Sequence, residues 1–305
     1  ADTHLTTIEF EGPPNNLPGP YTITATATDD TDDAILYMFV ADNGEGEQVR
    51  AGPGLESTAS LALKPGTWTV TVTVDDELRC FDQAADAVDQ IEITVDGSPQ
   101  LISHWTFDSE LADTGDAQAA NDGMFVGDAA PTFTEGYDGT PDGAILLDGT
   151  DDYVEVMQNA CLPVYTTYDA FTICMWVKGP GQNDRRVFAE ASLTDGHPLL
   201  NIGCNTPEAG NVKMYIRGSY TYNQSSSQVA FDDTWHHIAW VDDGGEAVMY
   251  IDGIRDPQDF TYTHPDMSIN TTTIGGILRG TGPSHWFQGA SDDVRIYNYA
   301  LTQEE

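Results

Sequence analysis

The sequence predicts an all-β protein made of two consecutive β-sandwiches, and three observations lead to this fold class. Strand-like segments recur at intervals of about 8–15 residues, and Gly, Asn, Asp and Pro residues separate them. Almost no segment shows the 3.6-residue periodicity of an amphipathic helix. The chain has 305 residues, which is long enough for two domains.

The first predicted domain, residues 1–97, is an immunoglobulin-like sandwich. Its clearest strand is Trp68–Val74, where large apolar residues alternate with threonine, as in a strand with one buried face. Several such strands within about 100 residues fit the immunoglobulin fold. The turn-forming run Asp96–Pro99 ends the pattern and predicts a short linker. The predicted strands are Leu5–Glu11, Tyr21–Thr28, Ile35–Val40, Ser60–Leu63, Thr67–Val74 and Ile91–Val95.

The second predicted domain, residues 98–305, is a larger sandwich. Its many short strands and its turn-rich connections fit a two-sheet jelly roll. The predicted strands are Leu101–Phe107, Ala144–Leu147, Tyr153–Val156, Phe171–Lys178, Arg186–Ala191, Leu199–Cys204, Val212–Arg217, Thr234–Val241, Ala247–Ile251, Thr272–Ile274 and Val294–Tyr297.

The charge of the chain excludes two classes of partner. It has 50 Asp and Glu residues against 11 Lys and Arg residues, for a formal net charge of −39. Nucleic-acid binding needs a basic surface that displaces counterions from phosphates, and attraction to anionic membranes needs one too. The longest apolar run, Ala34–Ala41, is far shorter than the ~20 residues that span a bilayer. The sequence therefore predicts no nucleic-acid partner and no membrane insertion.

The acidic residues are mostly aspartate, with 35 Asp and 15 Glu. Aspartate is favoured in turns, because its short side chain bonds to the local backbone, and it is a common calcium ligand. The excess therefore indicates Asp-rich loops between strands, some of them metal sites. Salt adaptation is the alternative, and the presence of only three lysines fits it.

The four cysteines match no redox or zinc motif by their spacing. In an exported protein, a disulfide between two of Cys161, Cys174 and Cys204 is expected, and the sequence does not choose the pair. Cys80 stands alone in the first hundred residues and is either free or bridged elsewhere.

Motifs in residues 101–305 occur in an order that resembles the laminin-G-like branch of the concanavalin A-like lectin/glucanase superfamily. The motifs are His104–Asp108, Ala112–Gly115, Asn121–Gly123, Leu147–Val154, Phe171–Val177, Thr234–Ala239, Tyr250–Gly253 and Asp292–Leu301. This resemblance implies a concanavalin A-like jelly roll and makes glycan binding the natural function to test.

The first domain is similar to PKD-like and cadherin-like surface modules over about 80 residues, a span that suits one small sandwich. The matching segments are Ala27–Asp33, Leu36–Phe39, Pro65–Val70 and Val74–Asp76. This resemblance implies a spacer that holds a binding or catalytic domain away from a cell surface.

The laminin-G-like resemblance implies a calcium ion where the opening segment meets the final strand. The matching positions are Asp108, Asp113, Asp122 and Asp292. Carboxylate oxygens from separate loops suit Ca²⁺, which accepts 6–8 irregular oxygen ligands. The alternative is that these residues only cap turns.

A second, weaker calcium candidate lies in the first domain, where acidic residues are crowded. Neighbouring carboxylates repel each other unless solvent or a cation separates them. A solvated loop is the alternative. The residues are Asp29, Asp30, Asp32 and Asp33, together with Asp75 and Asp76.

Aromatic residues in loop-like segments are the candidate glycan ligands, because the C–H face of a sugar stacks on an exposed ring. They are Tyr220, Tyr222, Tyr262 and Trp286. The alternative is a structural role, since Tyr and Trp often lie in strand cores. Asn223 and Asn270 begin Asn-x-Ser/Thr sequons and are candidate glycosylation sites.

The sequence carries no recognised catalytic motif. Hydrolases of the resembled superfamily place Glu-x-Asp-x-x-Glu on one strand, and this chain contains no Glu-x-Asp. A Gly-x-Ser-x-Gly elbow and a His-Glu-x-x-His zinc helix are also absent from the sequence. We therefore expect that the protein is not an enzyme.

The sequence leads to one main hypothesis and two alternatives. The main hypothesis is a secreted or cell-surface adhesion or recognition protein, stabilised by calcium, that binds a glycan, a surface protein or copies of itself. The first alternative is a structural subunit of a surface layer, matrix or filament whose acidic faces calcium bridges. The second is an ancillary binding module of a larger polysaccharide-degrading enzyme.

Overall fold

The computed structural model of the protein describes residues 3–29, 34–75, 87–117, 121–156, 161–206 and 209–305. The chain divides into two units, Ala1–Ser98 and Pro99–Glu305. Strands dominate both units, so the all-β fold class predicted from the sequence is confirmed. No helix in the described ranges is long and apolar enough to cross a membrane.

In its described residues, the first unit consists of seven antiparallel strands in two sheets. The strands are β1 (His4–Glu11), β2 (Gly19–Thr28), β3 (Leu36–Asp42), β4 (Gln48–Gly54), β5 (Thr58–Leu63), β6 (Gly66–Asp75) and β7 (Ala87–Val95), with a 3-10 turn at Pro14–Asn16. One sheet has the order β1-β2-β5 and the other the order β4-β3-β6-β7. This is the sandwich arrangement that the strand pattern predicted, with β4 as an additional strand.

The core of the first unit follows from alternation along β6. Trp68, Val70 and Val72 are fully buried, while the threonines between them face outward or are half-buried. The Trp68 indole Nε1 donates to the Lys64 carbonyl oxygen at 2.9 Å, so its polar group is paired. Tyr21, also fully buried, donates its hydroxyl to the Leu17 carbonyl oxygen at 3.1 Å.

The part of the second unit that the structure describes contains seventeen strands and one short helix. They are β8 (Leu101–Trp105), β9 (Gly123–Val126), β10 (Thr132–Thr134), β11 (Ala144–Asp148), β12 (Tyr153–Val156), α1 (Val164–Thr167), β13 (Ala170–Lys178), β14 (Arg186–Ala191), β15 (Leu199–Cys204), β16 (Asn211–Arg217), β17 (Thr221–Val229), β18 (His236–Asp243), β19 (Glu246–Ile251), β20 (Ile254–Arg255), β21 (Thr271–Ile274), β22 (Ile277–Arg279), β23 (Gly282–Ser284) and β24 (Gln288–Tyr297).

Two large antiparallel sheets form the body of the second unit. The eight-stranded sheet has the order β10-β11-β24-β13-β18-β19-β20, and β8 also pairs with β24. The seven-stranded sheet has the order β17-β16-β15-β14-β21-β12-β9, and β22 and β23 form a separate hairpin. Large side chains of the two sheets are fully buried, among them Trp105, Phe171, Phe188, Met214 and Trp240.

Aspartate side chains cap many of the connecting turns. In each case a carboxylate oxygen accepts the backbone N–H two residues further along the chain, which is the local bond that favours Asp over Glu. Such bonds are made by Asp42, Asp96, Asp113, Asp138, Asp148, Asp195, Asp232, Asp256 and Asp259. Turn geometry therefore accounts for a large part of the aspartate excess.

Glu190 is a fully buried carboxyl group in the second unit. Its two oxygens accept the backbone N–H groups of Val164 at 2.6 Å and Tyr165 at 3.1 Å, at the start of α1. Burial raises the pKa of Glu190 to about 7 in spite of these hydrogen bonds. This side chain therefore joins β14 to α1 and titrates near neutral pH.

The disulfide expected among the cysteines of the second unit is not formed, and that prediction is wrong. Cys161, Cys174 and Cys204 are free, buried thiols. The strand positions of Cys174 in β13 and Cys204 in β15 place them in different sheets. Burial raises the pKa of both thiols to about 12 and that of Cys161 further. Cys80 lies outside the described residues.

Replacing Glu190 should alter the pH dependence of stability. Because the pKa of Glu190 is higher in the folded chain than its ordinary value of 4.5, this group stabilises the fold most below that value. The contribution is lost as the pH rises through about 7. The free energy of unfolding of the wild-type protein, relative to that of Glu190→Gln, should therefore decrease by about 2–3 kcal/mol between about pH 5 and pH 8. Urea titrations of both proteins at each pH measure this difference. A constant difference for Glu190→Gln would refute this.

The three described cysteines should be unreactive in the folded protein. A Cys80→Ser background removes the fourth thiol from the measurement. We expect no reaction with a disulfide reagent near pH 8 under native conditions, because the thiols are buried and protonated. In denaturant without reductant, all three thiols should titrate. A single titrating thiol would instead indicate a disulfide.

Candidate functional site

Two of the four calcium ligands implied by the resemblance, Asp113 and Asp122, hold the turn that follows β8. Asp113 is buried, and one of its oxygens accepts the backbone N–H groups of His104 at 2.7 Å and Gly115 at 2.8 Å. Asp122 accepts the Asp113 N–H at 2.8 Å. Burial raises the pKa of Asp113 against these hydrogen bonds. These bonds are of the turn-capping kind that was the alternative, and the calcium role of both residues stays a prediction.

The other two, Asp108 and Asp292, are close enough for their charges to interact. Asp292 on β24 is only 4% exposed and accepts the Tyr137 N–H at 3.0 Å. Burial raises the pKa of Asp292 to about 6, and the charges of Asp293 and Asp108 add to the rise. Asp108 itself is exposed. No three of the four implied ligands bring their oxygens within 4.8 Å of one another, so the structure does not assemble them as one group.

In the described part of the chain, a different set of three aspartates has its carboxylate oxygens this close together. Carboxylate oxygens of Asp148, Asp151 and Asp152 lie within 4.8 Å of one another in the turn between β11 and β12. Asp148 accepts the N–H of Thr150 at 2.7 Å. Desolvation and the charge of Asp148 raise the pKa of Asp152, while desolvation and the charge of Asp128 raise that of Asp151. These mutually repelling oxygens could hold a metal ion.

The acidic cluster predicted in the first unit is only partly described. Asp30, Asp32, Asp33 and Asp76 lie outside the described residues. Asp29 follows β2 and is half-buried, and Asp75 is buried at the end of β6. The calcium site there stays a prediction.

The tyrosines predicted as glycan platforms are mostly not exposed rings. Tyr262 is buried, and its hydroxyl donates to Asp242 at 2.6 Å, so this candidate is corrected to a core residue. Tyr222 lies in β17 rather than in a loop, is half-buried and packs 5.1 Å from the Tyr262 ring. Tyr220 is 36% exposed, and its hydroxyl donates to the Thr263 carbonyl oxygen.

The remaining sequence candidates lie on the surface of the second unit. Trp286 is half-buried and forms an isolated bridge with Arg186. Asn223 is exposed within β17, in place of the predicted loop, and Asn270 is exposed just before β21. The Asn270 side-chain oxygen accepts the Leu193 N–H at 2.8 Å. Both sequons stay candidate glycosylation sites.

The outer face of the seven-stranded sheet carries a row of cationic and aromatic side chains on β16. Alternate residues from Val212 to Ile216 are fully buried between the sheets. Lys213, Tyr215 and Arg217 therefore lie on the opposite face, where each is half-buried. The Lys213 Nζ stands 5.4 Å from the centre of the Tyr215 ring.

Strand register brings residues of β14 and β15 to the same face. Asn201 pairs with Tyr215, and Gly203 lies between Arg186 on one side and Lys213 on the other. A Cβ at Gly203 would overlap the Arg185 carbonyl oxygen, so glycine is required where these strands approach.

The β22–β23 hairpin builds the second wall of a pocket over this face. Ile277 packs against Ala189, Ala191 and Leu199, with the Tyr215 ring alongside. The pocket has a volume of about 390 Å³, which is within the range of small-ligand sites. Tyr215 supplies an aromatic ring to the pocket. The polar residues that line the pocket are Asp184, Arg186, Asn201, Lys213, Arg217, Arg279 and His285.

Asp184 organises the cations on one side of the pocket. Its Oδ1 lies 2.8 Å from Arg186 Nη2 and 3.0 Å from Lys213 Nζ, and its Oδ2 lies 3.3 Å from His285 Nε2. Burial opposes ionisation, but the charges and hydrogen bonds of Arg186 and Lys213 lower the pKa of Asp184 to about 2. Asp184 is therefore a permanent anion that fixes the positions of two cations.

A neighbouring depression extends the pocket towards the acidic turn. It shares Asp184 and His285 with the pocket and has a volume of about 570 Å³. Its far end is lined by Gln288 and by Gly149, which belongs to the turn that carries Asp148.

The sequence analysis did not identify the cations of this pocket. A usable signal was present, because the predicted strand Val212–Arg217 places Lys213, Tyr215 and Arg217 on one face. Four of the eight basic residues of segment 101–305 line the pocket. Arg186 and Arg279, by contrast, reach it only through the tertiary fold.

Solved structures of similar fold come from several kinds of protein. Domain 4 of AbnA, a GH43 extracellular arabinanase from Geobacillus stearothermophilus in complex with arabinotriose, aligns with a TM-score of 0.50 and 19% identity, over 68% of this chain and 96% of that one. The CBM40 of Ruminococcus gnavus IT-sialidase, bound to α2,3-sialyllactose, aligns with a TM-score of 0.44 and 15% identity, over 53% of this chain and 92% of that one. A botulinum neurotoxin type C structure aligns with a TM-score of 0.49 and 12% identity, over 68% of this chain and 50% of that one. At such identities these likenesses describe the fold alone.

The family comparison is more specific. A search of curated proteins returned no significant match. The family model for the concanavalin A-like lectin/glucanases superfamily matches residues 148–305, which is more than half of the chain. The match agrees with the motifs Leu147–Val154 and Asp292–Leu301 that carried the resemblance in the sequence. The chain therefore belongs to the concanavalin A-like lectin/glucanases superfamily.

Proposed function

We propose that the second unit is a non-catalytic glycan-binding module of a secreted or cell-surface protein that acts in adhesion or recognition. The observation that carries this proposal is the pocket on the outer face of the seven-stranded sheet, formed by Tyr215 and the surrounding arginines. Its partner is a glycan, either free or on a surface glycoprotein. Binding to another copy of this chain is the remaining partner class.

The chemistry of the pocket suits a sugar. A sugar presents an apolar C–H face and a rim of hydroxyl groups, and it therefore binds best to a ring surrounded by planar donors and acceptors. The pocket supplies the Tyr215 ring, the Asn201 amide and several guanidinium donors, with Asp184 as an acceptor. The arabinanase domain of similar fold in complex with arabinotriose gives further support.

The charges in the pocket favour binding over hydrolysis. Glycoside hydrolysis generally requires two carboxyl groups on either side of the scissile bond, one of which is protonated. Asp184 is the one carboxylate among the described residues that line the pocket. Its pKa of about 2 keeps it ionised, so it cannot serve as a general acid.

Calcium is the cation we propose for the turn of Asp148, Asp151 and Asp152. Its carboxylate oxygens are hard ligands of the kind that Ca²⁺ prefers. Desolvation and the charge of Asp148 raise the pKa of Asp152, and a nearby cation would offset both effects. The buried Asp292, with Asp108 near it, is the second position with suitable chemistry. Calcium would supply stability to these turns.

We assign the first unit the role of a PKD-like spacer. Its seven-stranded sandwich and its segments similar to surface modules support this role. The second alternative function, an ancillary module of a polysaccharide-degrading enzyme, is compatible with the same sugar site. It is favoured by the likeness to a domain of an arabinanase.

Removing the Tyr215 ring should abolish glycan binding. The first step is a glycan array, followed by calorimetry with the best ligand. Tyr215→Ala should weaken binding by at least about tenfold, because the ring forms one side of the pocket. Tyr220→Ala should leave the affinity unchanged, since Tyr220 lies outside this pocket. Loss of binding in Tyr220→Ala alone would move the site to the tyrosine cluster, and no binding to any glycan would refute the proposed function.

Calcium should raise the melting temperature of the protein through the Asp148 turn. We expect a higher melting temperature in millimolar calcium than with chelator, because an ion that binds only the folded state stabilises it. Asp152→Asn should remove most of this shift. Asp259→Asn, which alters a turn-capping aspartate elsewhere, should retain it. An equal shift in both variants would place the ion elsewhere, for example at Asp292, and no shift in wild type would argue against a structural ion.

A further inference from the structure

The pocket concentrates positive charge in a strongly acidic protein. Arg186, Lys213, Arg217 and Arg279 give four positive charges, and Asp184 alone opposes them among the described lining residues. Burial and the nearby Arg186 charge lower the pKa of His285, so this imidazole is neutral near pH 7. The pocket therefore has a net charge of about +3 while the whole chain carries −39.

Two of these arginines form no ion pair with a carboxylate in the described part of the chain. Arg217 donates instead to the carbonyl oxygens of His197 at 2.8 Å and Gly196 at 2.7 Å. The charges of Asp195 and Arg217 interact, but Asp195 is exposed and is hydrogen-bonded to His197. Two peptide carbonyls thus position the Arg217 guanidinium, and no carboxylate in the described part of the chain forms an ion pair with it.

Arg279 is the most exceptional cation of the pocket. Its Nε is buried and has no hydrogen-bond partner among the described residues, and its Nη1 makes only a long contact of 3.5 Å with the Gly196 carbonyl oxygen. Desolvation lowers the pKa of Arg279, and the charges of Arg217 and Arg186 lower it further. A buried donor without a partner is costly to the fold. An anion bound at the guanidinium groups of Arg279 and Arg217 would relieve the repulsion between their charges.

The shape of the donors favours one kind of anion. A guanidinium group presents its N–H donors in a planar fork that matches the two oxygens of a carboxylate. Tyr215 lies two residues before Arg217 on the same face of β16 and lines the same pocket, so it offers apolar ring surface to a sugar whose carboxylate meets the fork. Asp184 binds Arg186 and Lys213, which leaves Arg217 and Arg279 as the pocket cations without a carboxylate partner among the described residues.

We propose that this pocket recognises a carboxylate-bearing sugar unit, with Arg279 and Arg217 binding the carboxylate and Tyr215 stacking on the sugar ring. This inference rests on the proposed function, because it names the ligand class of the same site. The neighbouring depression, which reaches Gly149, accommodates the adjoining units of an acidic oligosaccharide.

The decisive experiment compares ligands that differ only in charge. Calorimetry with trigalacturonic acid and with its fully methyl-esterified form isolates the carboxylate, and a glycan array extends the pair to other uronate, sialate, sulfate-ester and neutral glycans. We expect acidic sugars to bind at least about tenfold more tightly than their esters, since charged hydrogen bonds are at stake. The affinity should fall as sodium chloride is raised.

Arg279→Gln provides the matched variant test. It should weaken binding of the acidic ligand by about 10- to 100-fold and leave the melting temperature unchanged or higher, because the Arg279 Nε has no partner to lose. Arg255→Gln removes the same charge from an exposed position on β20 and should leave binding unchanged. Equal losses in both variants would reduce the effect to overall charge and overturn the proposal.

The outcomes separate this inference from the function beneath it. If neutral and esterified glycans bind as tightly as acidic ones and Tyr215→Ala abolishes binding, the carboxylate assignment fails while the glycan site stands. Binding of sulfate esters without carboxylate sugars would also overturn the assignment. If no glycan binds, both the inference and the proposed function fail.

Discussion

The alternation of side chains along β-strands is the constraint on which both the core and the candidate site depend. The inner face of β16 buries Val212, Met214 and Ile216, so these alternate residues must be apolar and the others are free to differ. Burial of Met214 and Ile216 obliges Tyr215 and Arg217 to lie on the outer face. The burial of apolar side chains that stabilises the sandwich therefore also places these two pocket residues on one face of the sheet.

The electrostatics of the molecule follow from where its charges can be tolerated. Many of the aspartates cap turns. There a backbone N–H stabilises the carboxylate, and water surrounds it. Buried acids are different, because burial raises the pKa of Glu190 and of Asp292 towards neutrality. Four of the scarce cations line the pocket that contains the ionised Asp184. That concentration of positive charge distinguishes the pocket from the rest of the acidic surface.

Predictions from local patterns succeeded where the physics is local. The strand Trp68–Val74 and the β16 strand both follow from period-2 alternation, and the turn-capping role of aspartate follows from a bond two residues long. Predictions that required distant residues to meet did less well. Tyr262 lies in an irregular segment, as its sequence suggested, yet it is buried, and its hydroxyl donates to Asp242 of β18. Cys174 and Cys204 lie in strands of different sheets and are free, buried thiols.

The sequence by itself determined the all-β class and the strong acidity, since these rest on short-range periodicity and on residue types, and the order of its motifs indicated the superfamily by resemblance. Only the tertiary structure decided which residues form the candidate site. Arg186 opens one strand and Arg279 ends another far along the chain, and both reach the Tyr215 face through strand register and a folded-over hairpin. No local pattern encodes that meeting, because the register of paired strands and the packing of a hairpin depend on side chains from the whole sandwich.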